Sequence, residues 1–221
     1  MGSHTSSDGK ATGRSPLLIF PCNGNAIEAL DSLGHTHHLL GFVDDTPEKQ
    51  GTIVHGYTVY SRDALTQWPE ALLLAVPGSP VSYLSRRQVI DGLGASANRF
   101  ASIIHPAASV SPLARIGRNV LIMAGVVITS NAVIGDHVCV LPNTVIHHDV
   151  VVGSWSLIGS NVTIAGGTEV GENCYIGSGS SLINNIRIED RALVGLGSNV
   201  VRSVSAGARV AGNPARNIRK S

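Results

Sequence analysis

From Val110 to Val200 every sixth residue is aliphatic, as in Ile116, Ile128, Val140, Ile146, Ile158, Ile164, Val170 and Val194, with none missing. Four positions after each anchor stands a residue that is mostly small or β-branched, such as Val126, Thr144, Ser156, Cys174 or Ala192. Gly often follows the anchor directly, as at Gly135, Gly153, Gly171 and Gly195. An α-helix turns every 3.6 residues and cannot hold a period of six on one face. Short strands joined by tight corners can, because β-branched residues favour strands and Gly or Asn tolerates the corner. A fixed short period of this kind predicts a parallel β-helix over Val110 to Ser205.

Composition supports a solenoid rather than an aromatic-rich core. Of 221 residues only 4% are aromatic and 14% charged, while Gly occurs 25 times. This length accommodates one large domain or two small ones. A net charge of +1 gives no basis for a nucleic-acid or anionic-membrane partner. The three cysteines, Cys22, Cys139 and Cys174, form no CxxC pair and read as packing residues in a reducing compartment. No apolar run approaches membrane-spanning length, and the polar N-terminus has no signal-peptide core. A soluble cytoplasmic protein is the expectation.

Residues 1–15 are polar and Gly/Ser-rich, with Met1-Gly2-Ser3-His4 resembling an expression scar. Residues 16–105 read as a small α/β domain with a parallel, Rossmann-like sheet. Strands are expected at Leu17–Phe20, Leu39–Val43, Leu72–Val76 and Phe100–Ile104, and helices at Ala26–Leu33 and Tyr83–Leu93. Ligands of such sheets bind beyond the carboxyl ends of the strands. Those ends carry Asn23-Gly24-Asn25, Asp44-Asp45 and Pro77-Gly78. Pro21-Cys22-Asn23-Gly24-Asn25 is not a GxGxxG fingerprint, which argues against a pyridine-nucleotide dehydrogenase. Residues 106–221 hold the repeat and a tail ending in Gly212-Asn213-Pro214-Ala215-Arg216.

The hexads resemble those of the hexapeptide acyltransferases. The α/β segment, Ile104-His105-Pro106, the repeat and Gly212-Asn213-Pro214-Ala215-Arg216 together are similar to the sialic-acid O-acetyltransferase-like subgroup. That subgroup includes N-acetyltransferases of nucleotide-linked 4-amino sugars. The resemblance implies a left-handed β-helix of about five coils, about 25 Å long at the strand spacing. It also implies a homotrimer with sites between neighbouring β-helices, acetyl-CoA as cosubstrate, no metal, and a nucleotide-sugar or amino-sugar acceptor on the N-terminal domain. The family's catalytic pair, His then an acid before an aliphatic-Gly, matches His148-Asp149 in Ile146-His147-His148-Asp149-Val150-Val151-Val152-Gly153. Acyl transfer needs a base with a pKa near the working pH, a carboxylate that favours the imidazolium, and a donor for the tetrahedral oxyanion.

The same resemblance puts Gly166, Ser178 and Leu196 along acetyl-CoA, stacked on one edge of the prism, with Asn213 and Pro214 near its adenine end. It puts Asn23, Gly24, Asn25, Asp44, Asp45 and Gly78 around the acceptor. Leu157 stands where relatives often carry a second His against the thioester, and Leu141-Pro142 stands where an Asn often precedes the catalytic hexad. On the acceptor side, Leu141-Pro142, Pro77 in place of a usual Gly, and Pro21-Cys22-Asn23-Gly24-Asn25 in place of the family's Gly-rich loop point to a related reaction on a different acceptor. Other readings are sugar O-acetylation of the sialic-acid type and a trimeric nucleotide-sugar-binding scaffold without turnover. A γ-carbonic-anhydrase-like zinc site using His137, His147 and His148 is a further rival. His35-Thr36-His37-His38 reads as a solvated loop. Trp155 is close enough in sequence to Asp149 to line an acceptor pocket.

Overall fold

The computed structural model describes residues 13–34 and 36–218; most of the scar-like segment and His35 of the His cluster lie outside the described residues. The N-terminal domain is a five-stranded sheet. Its strands are β1 (Ser15–Phe20), β2 (His37–Val43), β3 (Ile53–Val54), β4 (Tyr57–Tyr60) and β5 (Leu72–Ala75) in the order β3-β4-β2-β1-β5. β1, β2, β4 and β5 run parallel, and β3 pairs antiparallel with β4. The sheet is therefore mixed, and the β3–β4 hairpin is an addition to the sequence reading. Its two strands are too short to show a period. The first expected helix is split into α1 (Gly24–Glu28) and a 3₁₀ turn over Ala29–Ser32. After α2 (Ala64–Gln67), the second expected helix narrows to α3 (Arg86–Asp91) behind a 3₁₀ turn at Tyr83–Ser85.

The expected strand at Phe100–Ile104 belongs to two structures. Phe100 bridges to Leu73 of β5, whereas Ile103–Ile104 pairs with Leu121–Ile122 as the first rung of the β-helix. Rungs then repeat in a triangular, left-handed prism. The first face stacks seven parallel strands from Ile103–Ile104 to Arg209–Gly212, more than five coils supply. The second runs from Ser109–Val110 to Asn199–Val200, and the third from Arg115–Ile116 to Arg187–Ile188. Strand partners lie eighteen residues apart, as in Val145↔Thr163, until the last coil, where Val194 pairs with Val210. That coil is two residues shorter.

The anchors and the small positions fill the prism as one core from Val120 to Val210. Thr144, Ser156, Thr168 and Ser180 are buried there, and each hydroxyl donates to a backbone carbonyl, for example Thr144 Oγ1 to Gly159 O at 2.6 Å. A buried hydroxyl has to be bonded in this way. Corners are left-handed at one position per hexad, held by Asn131, Asn143, Asp149, Trp155, Asn161, Asn173 or Gly167 with φ between 54° and 69°. Short polar side chains and Gly tolerate that region best.

The outward residues of the first face, Ile103, Leu121, Cys139, Leu157 and Leu193, are buried in a core shared with β1, β2 and β5. The N-terminal domain covers this face. It is also tied to the corner between the third and first faces. Asn119 exchanges hydrogen bonds with Ala75 N and O, Arg86 donates to His137 O and Trp155 O, Asn173 Nδ2 to Leu84 O, and Tyr83 to Arg191 O. Five residues spaced one coil apart thus seat the domain on one edge.

Candidate active site

His148 and Asp149 form the corner between the second and third faces, the vertex opposite the covered face. His148 Nδ1 lies 2.8 Å from Asp149 Oδ2, and Asn131, one coil earlier, donates Nδ2 to Asp149 Oδ1 at 3.0 Å. The hydrogen bond from His148, then that from Asn131, hold the Asp149 carboxyl below the usual range. With Asp149 ionised and accepting, the proton of neutral His148 sits on Nδ1, and Nε2 is left with its lone pair. The side chains are 62% and 54% exposed. An exposed pair contributes little to stability, so stability alone is a weak reason for it.

Gly166 lies one coil below His148. A Cβ on it would stand 2.6 Å from His148 Nε2 and Cε1. Among the described residues the Gly166 N–H has no acceptor, while its carbonyl takes Asn185 N–H at 3.2 Å. A base and a free backbone donor therefore share one corner.

The other expected cosubstrate residues are placed differently. Ser178 and Leu196 lie on the corner between the first and second faces, not below His148. Twelve residues separate Gly166 from Ser178, two-thirds of an eighteen-residue coil. The single-edge arrangement is thus corrected to two edges flanking the second face. Ser178 Oγ accepts from Ser160 N at 3.0 Å, Leu196 is 70% exposed, and the exposed Asn213-Pro214 turn joins this edge through Gly212 N donating to Ser198 Oγ. Leu157 faces outward on the first face, where it is 5% exposed and packs beside Gly78. Its side chain is closed off beneath its own N-terminal domain, because a nine-residue step from the His148 corner ends on the covered face.

On the acceptor side, Asn23 caps α1 by accepting from Ala26 N at 2.9 Å and donates Nδ2 to Val76 O. Gly24 is exposed and Asn25 half-buried. Gly78 has φ 119°, and a Cβ there would meet Arg86 and Leu157 within 3.0 Å, so only Gly fits. Asp44 and Asp45, expected around the acceptor, are both engaged by donors of this chain. Buried Asp44 accepts from Cys22 N, Thr46 N and Lys49 Nζ at 2.9–3.0 Å. Burial acts to raise its pKa, but the bonds from Thr46 and Lys49 prevail and lower it. Asp45 is held at both oxygens by Arg62 at 2.6 and 2.7 Å. A buried carboxylate must be satisfied internally, and Lys49, which also donates to Cys22 O, is the donor that sequence spacing did not reveal.

His137 lies on the edge opposite the second face, between Phe100 and Trp155. Burial lowers its pKa. It is therefore separated from His147 and His148, and among the described residues no three His, Cys, Asp or Glu are grouped to hold a metal. Trp155 shares the His137 edge and is remote from the Asp149 corner, which corrects the expected acceptor-lining role. His37 Nδ1 lies 2.8 Å from Thr36 Oγ1, and His38 Nδ1 lies 3.2 Å from Arg14 O. No helix among the described residues is long and apolar enough to cross a membrane.

The model of the bacterial transferase hexapeptide family (six repeats) matches residues 113–147 and 131–166. No curated protein matches the chain by sequence. Among solved structures, PerB from Caulobacter crescentus, in complex with CoA and GDP-perosamine, is 26% identical with a TM-score of 0.81, covering 93% of this chain and 97% of that one. The acetyltransferase domain of PglB from Neisseria gonorrhoeae, in complex with acetyl coenzyme A, is 26% identical with a TM-score of 0.81, covering 93% and 100%. WeeI from Acinetobacter baumannii shares the fold at 22% identity and a TM-score of 0.79, with 93% and 100% covered. Residues 113–166 carry the hexapeptide repeat of that family, and the two-domain architecture of the whole chain is similar to that of these acetyltransferases.

Proposed function

We propose that the protein transfers acetyl from acetyl-CoA to the amine of a nucleotide-linked amino sugar, in the assembly of a surface polysaccharide. The observation that carries this reading is the corner where His148, held by Asp149, lies over Gly166. His148 Nε2 takes the proton of the acceptor amine as its nitrogen attacks the thioester carbonyl. The Gly166 N–H donates to the oxygen that becomes the oxyanion. Collapse of the tetrahedral adduct forms the amide and expels CoA as thiolate, which recovers the proton from His148. Asp149 stabilises the transient imidazolium. The two relatives solved with CoA or acetyl-CoA, one of them also with GDP-perosamine, support this chemistry.

The geometry also favours a homotrimer. The acceptor loops sit over the first face, whereas His148 occupies the opposite vertex of the prism. The base of one copy therefore serves an acceptor held by a neighbour, and acetyl-CoA runs between copies. From the Gly166 corner to the Asn213-Pro214 turn it crosses the second face, where Thr163, Ser181 and Asn199 present small polar side chains. Three cysteines present as free thiols accord with a cytoplasmic location. The test is mass spectrometry of UDP-, GDP- and dTDP-linked amino sugars and free sialic acid after incubation with acetyl-CoA. An acetylated nucleotide amino sugar is the expected product. Acetylation of sialic acid alone, or of nothing despite bound acetyl-CoA, contradicts the reading.

A further inference from the structure

A recess of about 580 Å³ lies on the Trp155 edge, on the other side of the third face from His148. Its volume is within the range of small-molecule sites. Arg87 and Asp91 of α3 form one wall, and Trp155, Glu172, Asn173 and Arg191 from three successive coils form the other.

Among the described residues, two buried polar atoms in these walls lack partners. The indole of Trp155 is clamped face-on, stacked on His137 at 5.6 Å and covered by the Arg87 guanidinium at 4.5 Å. Its edge remains, and Nε1 has no acceptor among the described residues. Asn173 is 8% exposed. Its Nδ2 donates to Leu84 O, which fixes the amide orientation and leaves Oδ1 as a buried acceptor without a donor. A buried polar group left unpaired is unfavourable, and here the residues that carry such a donor and such an acceptor both line one recess.

The charges narrow the ligand. Arg87 and Arg191 alternate with Asp91, Glu172 and Asp190, and Arg87 pairs with Asp91 at 3.7 Å. A phosphate would meet three carboxylates, and a diamine would meet two guanidiniums. A hydroxyl both donates and accepts, and a sugar ring holds several in fixed directions. We propose that this recess binds a neutral sugar ring, whose hydroxyls accept from Trp155 Nε1 and donate to Asn173 Oδ1. Arg87, exposed and on a flexible stem, swings off the indole to admit it.

The test is saturation-transfer NMR on the intact chain with free glucose, mannose and N-acetylglucosamine, and with putrescine and methylphosphonate as charged controls. Transfer to at least one hexose and to neither control is expected. Trp155→Phe, which keeps the stack and removes the donor, should weaken binding about tenfold, while His148→Ala leaves it unchanged. If Trp155→Phe does not fold by circular dichroism, Glu172→Gln is read in its place. Absence of transfer to every sugar, binding of a charged control instead, or loss of sugar binding in His148→Ala alone would overturn the proposal. The last two outcomes leave the acetyl-transfer reading intact, which keeps the two separable.

Discussion

The imidazole of His148 lies directly over Gly166 of the next coil, with its Nε2 where a Cβ on that glycine would come within 2.6 Å. This contact ties the base to the coil that presents a free N–H. Gly166→Ala should therefore push the ring away. The backbone there is not in the left-handed region, and His148 is an exposed, movable side chain, so folding should be little affected. Misplacing a base by about 1 Å is expected to lower kcat about a hundredfold. Thermal melts and steady-state kinetics of the same variant check this. A lowered melting temperature with unchanged kcat would show Gly166 to be structural only.

Asp149→Asn removes the carboxylate that favours the imidazolium and is expected to lower kcat about tenfold or more, by less than loss of the base itself. The same carboxyl gives a pH signature. Its folded pKa is depressed by His148 and Asn131, so its contribution is present above the unfolded Asp value, about 3.9, and is lost as pH falls through the lower folded value. Melting curves of the parent and Asp149→Asn should accordingly converge as the pH is lowered through that window. A gap that widens on acidification would contradict the assignment.

Arg86 is 1% exposed and donates to Pro77 O, His137 O and Trp155 O, with no carboxylate partner among the described residues. Arg86→Met leaves three carbonyls unpaired, that of Pro77 buried and those of His137 and Trp155 partly so. The expected loss is about 3 kcal/mol or more in urea unfolding. If the N-terminal domain detaches while the β-helix remains, the transition should become biphasic. A loss under 1 kcal/mol, on the order of a surface substitution, would mean that the domains do not depend on this seat.

Lys49 bridges Asp44 and Cys22 O at the ends of β2 and β1. Lys49→Met leaves the buried Asp44 carboxylate without its cation, and its pKa should rise. Stability of this variant is then expected to fall at neutral pH relative to the parent and the difference to shrink below the carboxylate range. Urea titrations at pH 7 and pH 3 measure both.

Much of the fold was legible because a period of six admits few solutions. Each anchor from Ile122 to Val200 is buried, and most corners fall where Asn, Asp or Gly follows the anchor by three, with His137, Trp155 and Arg191 at the others. The N-terminal domain was read less completely. The β3–β4 hairpin is too short for periodicity, and the Phe100–Ile104 run hid a transfer from one sheet to another. In the site, His148-Asp149 was marked by its resemblance to the family's catalytic pair. The free N–H of Gly166 and the engagement of Asp44 by Lys49 were not, since both depend on stacking or burial that no local pattern encodes. Leu157 shows the same limit. Its phase within the repeat puts it on the first face, but only the structure shows what covers that face.

The central claim is that His148 is the general base of acetyl transfer. Its most direct test is single-turnover acetylation of a nucleotide-linked amino sugar by the parent and by His148→Ala, with acetyl-CoA affinity measured on both. The account predicts that the chemical step slows by about 100-fold to 10,000-fold while acetyl-CoA binds as before. A rate within a factor of about two of the parent's, well short of what a general base contributes, would contradict it.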